Sequence, residues 1–254
     1  MSVPQTRQYR CALALMATVP GPGIDDPRAR PSPPLMPTEA TALKHCFLRD
    51  IAANIGRFVD ASRAEGVVVF TPTHAESSLR QLVPKSFKLF PQRGNTLGEI
   101  LSNASDDLLN KGFPSVCLIN GDSPTLPPAL LEVAIESLAH PGDRMVLGST
   151  DGGGYYLIGL KQGHPDLFER ILSSASNVVA HTNAGAAAIG LKVEMLPPWF
   201  EVNDAKTLNR LCEELLAPER RDKASPAPFT RQYLARLIEA EGPARISPGL
   251  ARRL

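Results

Sequence analysis

Short apolar runs alternate along this chain with longer segments whose apolar residues recur every three or four positions. Residues 11–17 (CALALMA) form a continuous apolar run and predict a buried first strand. Over 38–58, Ala42, Leu43, Cys46, Phe47, Ile51 and Ile55 mark one helical face. The valine-rich run 66–70 predicts a second strand that stops at Thr71-Pro72, and 75–83 and 87–90 predict a short helix and a third strand. A helix over 97–111 ends at Lys111-Gly112, a usual stop. The run 116–120 (VCLIN) has the uninterrupted apolar character of a parallel strand covered on both faces. A helix follows from Pro127, with proline in its first turn. Strands are predicted over 144–147, 155–160 and 191–196, and helices over 176–189 and 204–216. Asp204 caps the last of these, which shows Leu208, Leu211 and Leu215 on one face.

This alternation predicts an α/β three-layer sandwich on a mostly parallel sheet. Two stretches stand outside it. The loop from 19 to 37 holds prolines at 20, 22, 27, 31, 33, 34 and 37, and the tail after Ala217 is rich in Pro and Arg. Residues 1–216 are therefore read as one domain. Residues 217–254 are read as an appendage, partly disordered, with one amphipathic helix over 229–241 through Tyr233, Leu234, Leu237 and Ile238.

Composition narrows the class. The chain has 254 residues, 43% hydrophobic and 21% charged, enough to bury a core. Lys and Arg total 27 against 26 Asp and Glu, a net charge of +1 that argues against a nucleic-acid polymer as partner. No apolar run approaches the ~20 residues of a membrane span, and no cleaved signal is read at the N-terminus. Cys11, Cys46, Cys117 and Cys212 are scattered without a CxxC, so reduced thiols and a cytoplasmic location are expected.

Ligands of open parallel sheets bind at the carboxyl ends of the strands, and three polar segments follow strands directly. In Asn120-Gly121-Asp122-Ser123-Pro124, Asp122 reads either as a ligand of Mg²⁺ or Mn²⁺ that neutralises a pyrophosphate, or as the cap of the turn before the next helix. In Asp151-Gly152-Gly153-Gly154, the glycines allow close approach to a ligand, with Asp151 as second metal ligand or base; the other reading is a glycine-rich hairpin turn. The loop after the first strand carries Arg28 and Arg30, suited to phosphate, beside Asp25 and Asp26; it reads equally as a solvated loop. GxxxxGK[ST], GxGxxG and GxSxG are all absent, against P-loop, dinucleotide-binding and α/β-hydrolase sites. The five histidines show no metal-ligand spacing. Trp199 reads as a core or rim packer whose place between strand and helix leaves a pocket role open.

Taken in order, GDSPTLPPALL, DGGGYYLIGL and LPPWFEVNDAKTLNRL resemble the small bacterial GT-A-like transferases of the arsenosugar-biosynthesis and radical-SAM/selenodomain-associated type. The likeness covers residues 10–216. It implies a nucleotide-diphospho-sugar transferase fold, a divalent metal, a nucleotide or nucleotide-sugar donor and a small-molecule acceptor. Asp122 matches the family's metal-ligand aspartate, with Gly121 and Ser123 beside it. Gly153 and Gly154 match the glycines of the second motif, whose Asp falls on Gly152, one residue after Asp151. In the third motif the family's acids become Glu201 and Asn203. The family's Lys-Thr pair after the first strand is missing from the segment holding Arg28 and Arg30, and its G-D-L-G-x-R becomes Gly94-Asn95-Thr96-Leu97-Gly98-Glu99. The resemblance thus implies glycosyl transfer from a nucleotide-diphosphate sugar. Nucleotidyl transfer to a phosphorylated small molecule is the second reading, and a catalytically degenerate binding protein on the same scaffold the third.

Overall fold

A computed structural model describes residues 10–19, 34–61, 63–169, 171, 177–217 and 226–253. Among these residues seven strands form one mixed sheet: β1 Cys11–Thr18, β2 Ala64–Thr71, β3 Lys88–Pro91, β4 Val116–Asn120, β5 Met145–Thr150, β6 Tyr155–Leu160 and β7 Val193–Trp199, in the order β3-β2-β1-β4-β6-β5-β7. β1 pairs in parallel with β2 and β4, β2 with β3, and β5 with β7. Only β6 runs against its neighbours β4 and β5. Six strands therefore point one way, and the expected mostly parallel α/β sheet is present.

Pleating divides the sheet's apolar side chains between two cores. Leu13 and Leu15 join Leu48, Ile51 and Ile55 of α1 (Pro37–Asp60) and Leu131 and Leu138 of α4 (Pro128–Ala139). Ala12 and Ala14 face the opposite layer, with Leu101 and Leu108 of α3 (Leu97–Asn110) and Val178 of α5 (Val178–Ala188). β1 is buried on both faces, as its unbroken apolar run requires. The helix expected over 75–83 is reduced to α2 (Glu76–Leu79), four residues after a 3₁₀ turn.

A third core lies on the outer side of α1. Its Leu43 and Phe47 pack with Leu208, Leu211 and Leu215 of α6 (Ala205–Leu216), and with Leu234, Ile246 and Leu250 from α7 (Pro228–Glu241), α8 (Pro243–Ile246) and α9 (Pro248–Ala251). Helices thus lie on both faces of the sheet, and α1 is covered on both of its own. Among the described residues no helix is long and apolar enough to cross a membrane.

Topology fixes where chemistry gathers. Because β1, β4, β5 and β7 run the same way, their carboxyl ends lie on one edge of the sheet. That edge carries the turn after β4, the β5–β6 turn with its three glycines, the segment after β7, and the approach to α1. The chain crosses from β1 through α1 to β2 on one side, while β4 lies on β1's other side. This change of direction is a switch point at the carboxyl ends of β1 and β4, the place where such sheets usually form a ligand crevice.

Candidate functional site

Asp122 sits in that crevice, two residues past β4. Its backbone N–H is held by Asn120 Oδ1 at 3.1 Å, and its carbonyl accepts from Val202 N at 2.8 Å. Ser123 Oγ donates to the Phe200 carbonyl at 2.9 Å. These bonds stitch the turn after β4 to the segment after β7. The Asp122 carboxylate is part-exposed and ion-paired with Lys44 Nζ, from the second turn of α1. Lys44 thus spans the crevice from the β1 side to the β4 side, and its ammonium also lies 5.8 Å from the centre of the Phe47 ring.

Glu201 is the second carboxylate of the site. Its Oε2 accepts from Asn120 Nδ2 at 3.1 Å, and its Oε1 from Asn203 Nδ2 at 3.2 Å and, more loosely, from Thr150 Oγ1 at 3.4 Å. Burial raises its proton affinity above the usual carboxylate range, and the negative charge of Asp122 raises it further, against the opposing pull of Thr150, Lys44 and Asn120. Glycine at 154 makes room for this carboxyl group: a Cβ there would sit 3.0 Å from Thr150 Oγ1 and 3.1 Å from Glu201 Oε1. Gly153, at φ 82°, turns the chain in a conformation that side chains rarely adopt.

Asp151 Oδ2 accepts from Arg210 Nη1 of α6 at 2.6 Å on the exposed rim, and that guanidinium also lies 4.0 Å from the centre of the Phe200 ring. Gly121 packs under the crevice against the Met16 carbonyl of β1. The Ser123 side chain is buried and engaged with Phe200. Gly94, at φ 113°, packs on the backbone of Glu99 and Ile100, just before the Thr96–Glu99 capping box of α3. Arg28 and Arg30 lie outside the described residues.

Sequence reasoning did not single out two members of this cluster. Lys44 is one polar position on an amphipathic helix, and nothing in the chain marks it apart from a solvated residue. Glu201 had a signal in the PWFEVND segment, where it replaces an aspartate of the resembling family. Its link to Asn120 and Thr150 needs β7 to end on the same edge as β4 and β5.

The likenesses to known proteins agree with this architecture. A family model described as an uncharacterized protein conserved in bacteria (DUF2064) matches residues 54–175. No curated protein matches the chain. Among solved structures, a provisionally assigned nucleotide-diphospho-sugar transferase from Desulfovibrio desulfuricans G20 superimposes with a TM-score of 0.75 at 24% identity, over 91% of this chain and 95% of its own. CMP:2-keto-3-deoxy-manno-octonic acid synthetase complexed with CTP gives 0.50 at 10% identity, over 80% of this chain and 96% of its own. A cytidylyltransferase from Leptospira borgpetersenii serovar Hardjo-bovis (strain JB197) gives 0.50 at 10% identity, over 94% and 97%. The shared feature at these identities is the fold.

Proposed function

We propose that this chain is a transferase that moves a glycosyl group from a nucleotide-diphosphate sugar to a small acceptor at the Asp122 crevice. The observation that carries the reading is the gathering of Asp122, Glu201 and Lys44 at the carboxyl edge of a sheet of nucleotide-diphospho-sugar transferase type.

The donor set fits a divalent cation of the magnesium or manganese kind. Such ions take hard oxygen ligands, often one or two carboxylates completed by water and substrate phosphate. Here the charge of one carboxylate raises the proton affinity of the other, so a cation shared between them relieves a repulsion already present. Among the described residues no group of three or more His, Cys, Asp or Glu is assembled, and the remaining ligands would come from outside the chain. Asp122 and Glu201 would hold the ion, which when bound supplies positive charge to a departing diphosphate. Asn120, Thr150 and Asn203 orient Glu201, and Lys44 supplies the chain's own cation at the point where phosphate charge would lie. Arg28 and Arg30, which follow β1 in the sequence, are proposed to add to it.

Nucleotidyl transfer is the second reading, favoured by the likeness to a synthetase complexed with CTP and to a cytidylyltransferase. One incubation separates the two. The protein is mixed with Mn²⁺ and a panel of nucleotide sugars and nucleoside triphosphates, and the products are resolved. Nucleoside diphosphate released from a nucleotide sugar supports the leading reading, and pyrophosphate from a triphosphate supports the second. No product and no thermal shift with any nucleotide would leave a binding scaffold without transferase chemistry. In the productive case Asp122→Asn is expected to lower kcat/KM by about 100-fold or more, the scale of removing one preorganised electrostatic group.

A further inference from the structure

We infer that the C-terminal helices, residues 226–253, are a positioning part of the candidate site: they hold α1 and the 199–204 segment so that Lys44 and Glu201 flank Asp122. The inference rests on the proposed function for the purpose of the site, but on geometry alone for the coupling.

Three sets of contacts carry it. At the middle of α1, the carboxylate of Asp50 is buried and receives the first free N–H groups of α7, from Phe229 at 3.0 Å and Thr230 at 2.8 Å. A helix whose cap is supplied by another helix is tied to it at a defined place and angle. Beside this joint the guanidinium of Arg49 stacks 3.7 Å from the centre of the Phe229 ring. At the start of α1, Arg245 donates to Glu39 Oε1 at 2.6 Å and Oε2 at 3.2 Å, and to the Pro34 carbonyl at 3.0 Å; Tyr233 Oη donates to the Glu39 carbonyl at 3.2 Å. Lys44 lies on α1 between these two fastenings.

The third set joins the same helices to Glu201. Phe200 and Val202, on either side of it, are buried in the third core with Phe47, whose ring lies under the Lys44 ammonium. Leu234, Ile246 and Leu250 complete that core. Asn209 Oδ1 on α6 accepts from Ser247 Oγ and Gly249 N, both at 2.8 Å, so α6 is fastened to the C-terminal turns as well. One apolar cluster therefore sets the places of a cation and an acid that come from segments more than 150 positions apart.

Asp50, Arg245 and Glu39 are positioning residues in this account, and the test reads position rather than turnover. Two single variants of the full chain, Asp50→Leu and Arg245→Met, each remove one fastening while keeping side-chain size close to the parent's, leucine having no acceptor for the Phe229 and Thr230 N–H groups. Two readouts follow in each: reductive methylation of the Lys44 amine, located by peptide mass, and hydrogen exchange of the segments around 36–44 and 199–204. The expected result is an increase of about fivefold at Lys44 and in both segments, the scale of losing one helix cap. Arg245→Lys is expected to recover part of the protection. Loosening confined to α7, α8 and α9, with Lys44 and 199–204 unchanged, overturns the inference, as does no change anywhere in either variant. Neither readout needs a nucleotide. A protein inert toward every donor but with coupled exchange would defeat the proposed function and leave the positioning role standing.

Discussion

Burial and the neighbouring Asp122 both raise the proton affinity of Glu201, so its folded state holds a proton to higher pH than its unfolded state does. Stability from this group is complete below the unfolded-state range of glutamate and is lost as pH rises through the raised folded value. Glu201→Gln is expected to remove that loss: its melting temperature gains on the parent's as pH rises from the ordinary glutamate range through the raised folded value and then levels off, measured by calorimetry without metal. Lys44 lends itself to an opposite-sign test. Its ammonium neutralises Asp122 and would compete with any cation there. Lys44→Met is therefore expected to tighten Mn²⁺ binding several-fold in titration calorimetry while weakening the binding of a nucleoside diphosphate. A change of both affinities in the same direction would remove Lys44 from the phosphate's surroundings. Asp122 was legible in the chain because a buried strand ends just before it. Glu201 and Lys44 were not, because each owes its place to a partner some eighty positions away.

At the scale of elements, α1 does more than cover the sheet. Its inner face packs on β1 and β2, and its outer face and polar joints carry the C-terminal helices. Asp50→Ala would leave two N–H groups at the start of α7 without their acceptor, in a place closed to water. The expected cost is about 2 kcal/mol, read from the urea midpoint, with an unchanged slope if only the native state is affected. The strands and most helices were legible because their apolar periods are long and their caps local, as with Asp204, whose Oδ1 accepts from Thr207 N at 2.7 Å. The reversed strand β6 was not, since an apolar run carries no sign of its direction. The extension of β7 through Pro197 and Pro198 escaped as well, because proline tells against a strand unless the strand lies at an edge.

Taken whole, the described residues form three apolar cores, and the third draws on both α1 and the C-terminal helices. A chain ending at 225 would uncover Phe47, Leu208, Leu211 and Leu215 together, a contiguous apolar patch of the kind that drives association. It is expected to bind anilinonaphthalene sulfonate strongly and to sediment as aggregates, and the full chain is expected to do neither. The tail's composition hid this role, because three of its prolines, Pro228, Pro243 and Pro248, stand at the first turns of α7, α8 and α9 and start them rather than interrupt them.

The paired prolines of β7 have a consequence beyond the fold. Neighbouring residues of a strand aim their amides to opposite sides, so one of Pro197 and Pro198 leaves a missing donor on the outward side and the other on the side of β5. The inward gap coincides with the irregular register opposite Gly148 and Thr150. The outward gap interrupts the ladder that a visiting strand would need in order to zip onto this flank. Strand exchange or fibril growth along the β7 border is therefore disfavoured, while β3 forms the sheet's other border.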